Sequence, residues 1–315
     1  MKICAERQKL LDCDGHAIVT GGPGSGKTTI ALKKALVRIE KGLKPGQSVL
    51  FLSFSRAAVA RIVQASRLQL SKEGRTLLNV QTFHSFFWDL LKTHSYLLGT
   101  PRPIHILMPQ DERVRSEGIK ADKEPEKWAE WLQTREQLCT AKGLIAFDLF
   151  APKAAQLVEQ SPLIRSLIAE RFPLIIVDEA QDTGPDAWRC IELLATETQI
   201  ICLADLEQQI FDHLPGIGPE RIEAIKSALH PLEIGLGSEN MRSPGSEIAE
   251  FGRDILSGNV RTGGYKGVST LSYNPSSDLG PTMRRALGCL KPSVIRLNPA
   301  IRDRVKSGHR EWPKT

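Results

Sequence analysis

Residues 16–28 read HAIVTGGPGSGKT, and the fold turns on how that stretch is understood. His16–Gly21 is a short apolar run of strand character that ends in consecutive glycines. Beyond it, Ile30, Ala31, Ala35 and Val37 recur at helical spacing, which predicts a helix over 28–39. Gly21–Thr28 matches G-x-x-x-x-G-K-[ST], a loop whose glycines let successive backbone N–H groups point into one concavity around a phosphate chain. Gly22, Pro23, Gly24, Ser25 and Gly26 form that cradle. Lys27 reaches the outer phosphates, the Thr28 hydroxyl suits Mg²⁺, Thr29 follows in the first helical turn, and the helix N-terminus adds its dipole. A glycine turn that holds nothing is the competing reading, and the strand–turn–helix context disfavours it.

Working outward, Ser48–Ser53 (SVLFLS) is an apolar run after Pro45-Gly46 and predicts a second strand, with a helix over 56–70. A strand-like piece starts at Val80. Phe83, Phe86, Phe87, Leu90 and Leu91 then lie on one helical stripe, better read as core than as a binding platform. Pro173–Asp178 (PLIIVD) and Gln199–Asp205 (QIICLAD) are continuous apolar runs, the pattern of parallel strands covered on both faces. The first delivers Asp178-Glu179. With the phosphate loop upstream, Asp178 is placed to meet Mg²⁺ and Glu179 to orient or deprotonate a water, which points to Mg²⁺-dependent nucleoside triphosphate hydrolysis. Residues 95–145 break the alternation with Pro101, Pro103 and Pro109, then a charged stretch that sets Trp128, Trp131 and Leu132 on one helical face. The expected fold is therefore α/β: a P-loop domain with a parallel sheet, interrupted by an inserted, mainly helical subdomain at 95–145.

Composition sets broad limits. At 315 residues, 41% hydrophobic and 25% charged, the chain is globular, neither fibrous nor disordered. It has no apolar run long enough to span a membrane and no secretory signal at its start. Its six cysteines form no Cys-x-x-Cys pair, so a zinc ribbon or disulfide framework is not expected and a cytoplasmic location is. The net charge of +6 is unevenly placed: residues 283–315 carry nine Lys/Arg against two acidic residues, leaving the rest near neutral. Bulk charge therefore says little about nucleic acid, and any such binding must come from local arrangement.

Asp178–Thr183 (DEAQDT) with the phosphate loop resembles the superfamily 1 DNA helicases of the UvrD/Rep type, and further blocks fall in that family's order. By that resemblance Gln8 would read the adenine edge. Ser53–Ala58 (SFSRAA) and Thr82–Phe86 (TFHSF) would face single-stranded DNA. Gln208, in Asp205–Phe211 (DLEQQIF), would sense the γ-phosphate, and Arg242, in Asn240–Ser243 (NMRS), would act as an arginine finger. Sequence-independent strand binding needs a backbone-tracking groove and π-faces for the bases. Phe54 and Phe211 are candidate platforms, while Ser55, Arg56, Thr82 and His84 are candidate phosphate or sugar contacts. Phe54 fits core packing equally well, Phe83 fits it better, and His84 is as readily a solvated or capping side chain.

The sequence departs from the family pattern at several points. Thr29 stands where an arginine often packs on adenine, Met241 where a tyrosine is usual, Ala204 where a glycine is usual, and His213-Leu214-Pro215 replaces an aromatic-Arg-Gly. The resemblance implies a RecA-like ATP-binding lobe over 1–94 and 146–235 and a partial second RecA-like lobe with a basic tail over 236–315, and no segment resembling the family's later motifs follows Ser243. The expectation is thus an ATP- and Mg²⁺-dependent translocase or helicase whose second lobe is completed by a missing segment or a partner protein. The alternative is a degenerate or regulatory subunit that binds ATP and nucleic acid without unwinding on its own. The residues do not distinguish DNA from RNA.

Overall fold

The computed structural model describes residues 4–119, 123–205, 219–237, 245–261, 263–268 and 280–281. Its contacts divide the chain into two units, 1–244 and 245–315. The first opens with α1 (Ala5–Asp12), β1 (Ala17–Thr20), α2 (Lys27–Glu40), β2 (Val49–Ser53), α3 (Arg56–Gln69), α4 (Lys72–Thr76), β3 (Leu78–Thr82) and α5 (Phe83–His94). Then come β4 (His105–Leu107), α6 (Pro109–Arg115), α7 (Pro125–Lys142), β5 (Leu144–Ala146), α8 (Phe150–Gln160) and α9 (Pro162–Arg171). The unit continues through β6 (Leu174–Val177), α10 (Pro185–Ala195), β7 (Gln199–Ala204), α11 (Pro219–Leu229) and β8 (Leu232–Gly235).

Six strands form one sheet in the order β3-β2-β6-β7-β1-β8, and every pairing is parallel. The continuous apolar runs are explained by what covers the sheet. Because side chains alternate across a strand, each run divides between two cores. Ile18, Leu50, Leu52, Ile175, Val177, Ile200 and Cys202 face one core with the Phe83–Leu91 stripe of α5 and the buried faces of α8 and α10. Val19, Val49, Phe51, Leu174, Ile176, Ile201 and Leu203 face the other, with Leu10 and Leu11 of α1, Ile30 and Ala35 of α2 and Ile62 of α3. The α5 stripe is therefore core. The protein is an α/β fold of RecA-like type, with one strand, β7, between the strand that feeds the glycine loop and the strand that carries the acidic pair.

The segment 95–145, expected to be helical, also contributes strands. β4 and β5 pair as a separate two-stranded parallel sheet, His105 opposite Leu144. The buried face of α7 is Trp131, Arg135, Leu138 and Cys139, whereas Leu132 is 43% exposed and falls off that stripe. Arg135 closes the face by pairing with Glu112 on α6 and with Asp148.

The first unit also runs further than the expected boundary at 235. Leu236 packs against the second core, and Gly237 accepts a hydrogen bond from Gly22 N at 3.3 Å, so both belong with the glycine loop. In the second unit, α12 (Ile248–Ser257) ends at Gly258 with φ 70°. Tyr265 closes against that helix, donating to Asp254 at 2.8 Å and meeting the Phe251 ring edge-on.

Candidate nucleotide site and strand-facing edge

The register lines up the carboxyl ends of five strands. Thr20 lies opposite Ala204, Cys202 opposite Val177, Val177 opposite Leu52, and Ser53 opposite Thr82. The glycine loop, Asp205, Asp178, Phe54 and Phe83 consequently all leave the sheet along one edge, where open parallel sheets bind ligands.

The loop's conformation explains its glycines. At Gly26, the cap residue of α2, φ is 91°, a left-handed setting that a side chain resists. Gly21 has no room for one: a Cβ there would sit 2.7 Å from Ser25 Oγ and 3.2 Å from the Gly237 carbonyl. Lys27 Nζ donates to the Gly21 carbonyl at 2.5 Å and the Gly22 carbonyl at 3.2 Å, and pairs with Asp205 Oδ2 at 2.9 Å. This ion pair ties the loop to the end of β7. Thr28 and Thr29 are half-buried in the first turn of α2.

Asp178 follows β6 and is 7% exposed; its backbone N donates to the Leu52 carbonyl at 2.9 Å. Burial pushes its carboxyl up to about 7, the Glu179 charge adds to the rise, and the Lys27 charge opposes it. Glu179 adopts φ 50° and ψ 49°, a left-handed setting uncommon for a side-chain-bearing residue. Its carboxylate accepts from Gln181 Nε2 at 2.9 Å, while Gln181 Oε1 accepts from Asp205 N at 3.2 Å. Gln181 is fully buried and joins the acidic pair to the residue that holds Lys27. The structure thus joins Lys27 to Glu179 through two residues, Gln181 and Asp205, that had drawn attention only as parts of blocks, with Asp178 next to Glu179 in the chain and under the influence of the Lys27 charge.

Gln8 lies exposed on α1, donating to Asp12 at 2.8 Å. Its neighbour Arg7 is the connected residue: it is buried and its guanidinium donates to the Ser25 carbonyl at 3.0 Å, fastening α1 to the loop. A charged residue sharing the helical face of Leu10 and Leu11 was the available sequence signal for Arg7. Gln208, Phe211 and Arg242, with the departures at His213–Pro215 and Met241, lie outside the described residues.

At the β2–β3 end the candidates are built differently. Ser55 caps α3, accepting from Ala58 N at 3.0 Å, and Thr82 caps α5, accepting from Ser85 N at 3.1 Å. Arg56 and His84 are exposed. Phe54 is half-buried, its ring 5.1 Å from that of Phe83 and packed on the first core, so it serves as part of the wall and still offers an edge. His84 lies 6.4 Å from the ring of Phe147 and 6.3 Å from that of Phe150. Phe147, 38% exposed, adds an aromatic face that the sequence reading passed over.

A glycine loop fed by one parallel strand, with an acidic pair headed by the buried Asp178 two strands away, defines a P-loop protein of the RecA-like class. Residues 4–123 and 110–216 match the UvrD/REP helicase N-terminal domain, and the chain belongs to that family. It is 24% identical to DNA helicase II of Haemophilus influenzae over 323 residues, covering 87% of this chain and 44% of the relative. To DNA helicase II of Escherichia coli it is 24% identical, covering 82% and 41%. The chain thus spans less than half the length of these relatives. Among solved structures it is similar to a Pif1 helicase from Bacteroides in complex with ADP-AlF3 and ssDNA, with 17% identity, a TM-score of 0.38 and coverage of 83% of this chain and 48% of that one. A likeness of that size carries no functional argument.

Proposed function

We propose that the chain is the ATP-hydrolysing part of a DNA translocase or helicase that holds single-stranded DNA along the same sheet edge, with 95–145 as an insertion and the residues after Pro244 opening a second lobe. The observation that carries this reading is the connected group Lys27–Asp205–Gln181–Glu179 with Asp178 beside it, because it joins a phosphate cradle to an acidic pair. Family membership supports the same activity.

The donor set fits Mg²⁺. Asp178, whose ionised form is disfavoured by burial, and the Thr28 hydroxyl are hard oxygen ligands, and Mg²⁺ commonly takes one or two such groups plus phosphate oxygens and waters. Bound there, the ion would neutralise charge developing on the phosphates. The loop amides of Gly22, Pro23 excepted, through Thr29 would hold the phosphate chain. Lys27 would exchange its loop carbonyls for the outer phosphates, and Glu179, held by Gln181, would orient the attacking water and take its proton. Gln8 would contact adenine, Gln208 would sense the γ-phosphate and Arg242 would complete the charge at that group. Phe54, Phe147 and Phe211 would stack bases, with Ser55, Arg56, Thr82 and His84 on the backbone.

The test is the steady-state ATPase rate of the purified chain with and without single-stranded DNA. We expect DNA to raise turnover, with a stimulation that weakens as salt rises. ATP binding without turnover, with or without DNA, would establish the regulatory-subunit reading instead.

A further inference from the structure

The turn that follows the acidic pair, Ala180–Asp182, rests on a residue from outside every recognised block. Arg221, on α11, is 6% exposed, and its Nε donates to the Thr183 carbonyl at 2.9 Å. The guanidinium carbon lies 5.8 Å from the centre of the Trp188 ring on α10. Among the described residues no carboxylate forms an ion pair with it, and burial lowers its pKa from the ordinary arginine value. A buried guanidinium without an ion pair is costly, and an apolar side chain would pack between α10 and α11 without that cost. Core stability is therefore a poor reason for an arginine here.

Its position offers a better one. Thr183 closes the short 3₁₀ turn Ala180–Asp182: its N and its Oγ1 both donate to the Ala180 carbonyl, at 3.2 and 2.6 Å. Inside that turn Gln181 holds the Glu179 carboxylate, and Glu179 itself sits in its left-handed setting. The turn is thus fixed at one end by the strand β6, in its middle by Gln181 on Asp205 N, and at its far end by Arg221. We infer that Arg221 is a positioning residue for Glu179, pinning the far end of the acidic turn so that the carboxylate stays where it meets the attacking water. The catalytic half of this statement rests on the function proposed above; the pinning does not.

The experiment compares the full chain with Arg221→Met, which keeps bulk and removes the donor, and Arg221→Lys, which keeps a donor. Amide hydrogen exchange over 178–184 reports the pinning without any need for activity, and urea unfolding reports global stability. We expect Arg221→Met to accelerate exchange selectively in that segment, with α2 and the β2 strand unchanged. Single-turnover ATP hydrolysis should fall on the order of 10-fold to 100-fold, the scale of a small misplacement of a reacting group, while ATP affinity stays within about twofold. Arg221→Lys should recover part of both. Unchanged exchange at 178–184, or an increase spread evenly over the unit, would overturn the inference. If the wild-type chain turns over no ATP under any condition, the proposed function fails while the exchange result still decides the pinning.

Discussion

At the β1–β7–β6 end of the sheet edge, Asp178, Gln181 and Asp205 are buried, and Gln181 and Asp205 are bound through a chain of contacts to Lys27, whereas at the β2–β3 end Arg56 and His84 lie in the open and the hydroxyls of Ser55 and Thr82 are spent on helix caps. Both ends hang on the same parallel register, so the difference arises in the side chains and not in the backbone frame. A triphosphate is compact and highly charged, and fixed dipoles in a dry site act on it most strongly. A single strand is long, and a groove with exposed cations and ring faces can slide along it. Substitutions at the first end should therefore strike chemistry and folding together, and at the second should separate them.

The largest effects belong to Lys27 and Glu179, the two residues proposed to touch the reacting group. Lys27→Ala should abolish nucleotide binding or turnover. Glu179→Gln should keep ATP bound while turnover falls on the order of 10²–10⁴, the range of a lost general base. Measured by nucleotide titration beside steady-state ATPase, a Lys27→Ala chain with normal turnover would break the phosphate assignment. Loss of binding in Glu179→Gln would make that carboxylate structural.

Gln181→Leu comes next, because it deletes a buried amide satisfied on both sides. The buried Asp205 N–H loses the Gln181 acceptor, a cost of about 1–3 kcal/mol, and the half-exposed Glu179 carboxylate loses the donor that holds it. Urea unfolding should show that loss, and turnover should fall with it. A variant as stable as the wild type would mean that the two ends of the edge are less different than their contacts imply.

The sheet and the phosphate loop were readable because their signals are local: an apolar run next to glycines needs no knowledge of distant residues. Asp178 and Glu179 were readable for the same reason, lying at the end of such a run. Arg7, Gln181 and Arg221 were not singled out, since each acts on a carbonyl or amide that only folding brings near: Ser25, Asp205 and Thr183 respectively. Leu132 was misjudged on α7 because the buried face continues from Trp131 through Arg135, whose guanidinium is held there by Glu112 and Asp148, to Leu138 and Cys139, and a charged residue gave no sign of that course. The short β4–β5 pair escaped because three residues per strand leave no periodicity to detect.

Helix caps form the middle of the scale. Ser55→Ala and Thr82→Ala should each cost about 1 kcal/mol, the usual worth of a capping hydroxyl. Thr82→Ser should restore the stability. If it restores stability but leaves strand binding weakened, the Thr82 methyl meets the nucleic acid in addition to capping α5. If both return, the cap alone explains the residue and Thr82 leaves the strand-binding set.

Arg56→Ala should be the gentlest substitution for the fold, within about 0.5 kcal/mol by urea unfolding, since it removes an exposed side chain at the start of α3. Its effect should appear in the salt dependence of binding. A cation that neutralises one phosphate of a single strand contributes roughly 0.7 to the slope of log affinity against log salt, so the variant's slope should be shallower by about that amount. Short single-stranded DNA of mixed sequence, titrated at several salt concentrations, supplies the number. An unchanged slope would remove Arg56 from the backbone track, leaving the rings of Phe54 and Phe147 and the polar His84 as the described surface of that end. A shallower slope with unaltered unfolding would show that this end binds without having to be buried, the property that most sets it apart from the nucleotide end.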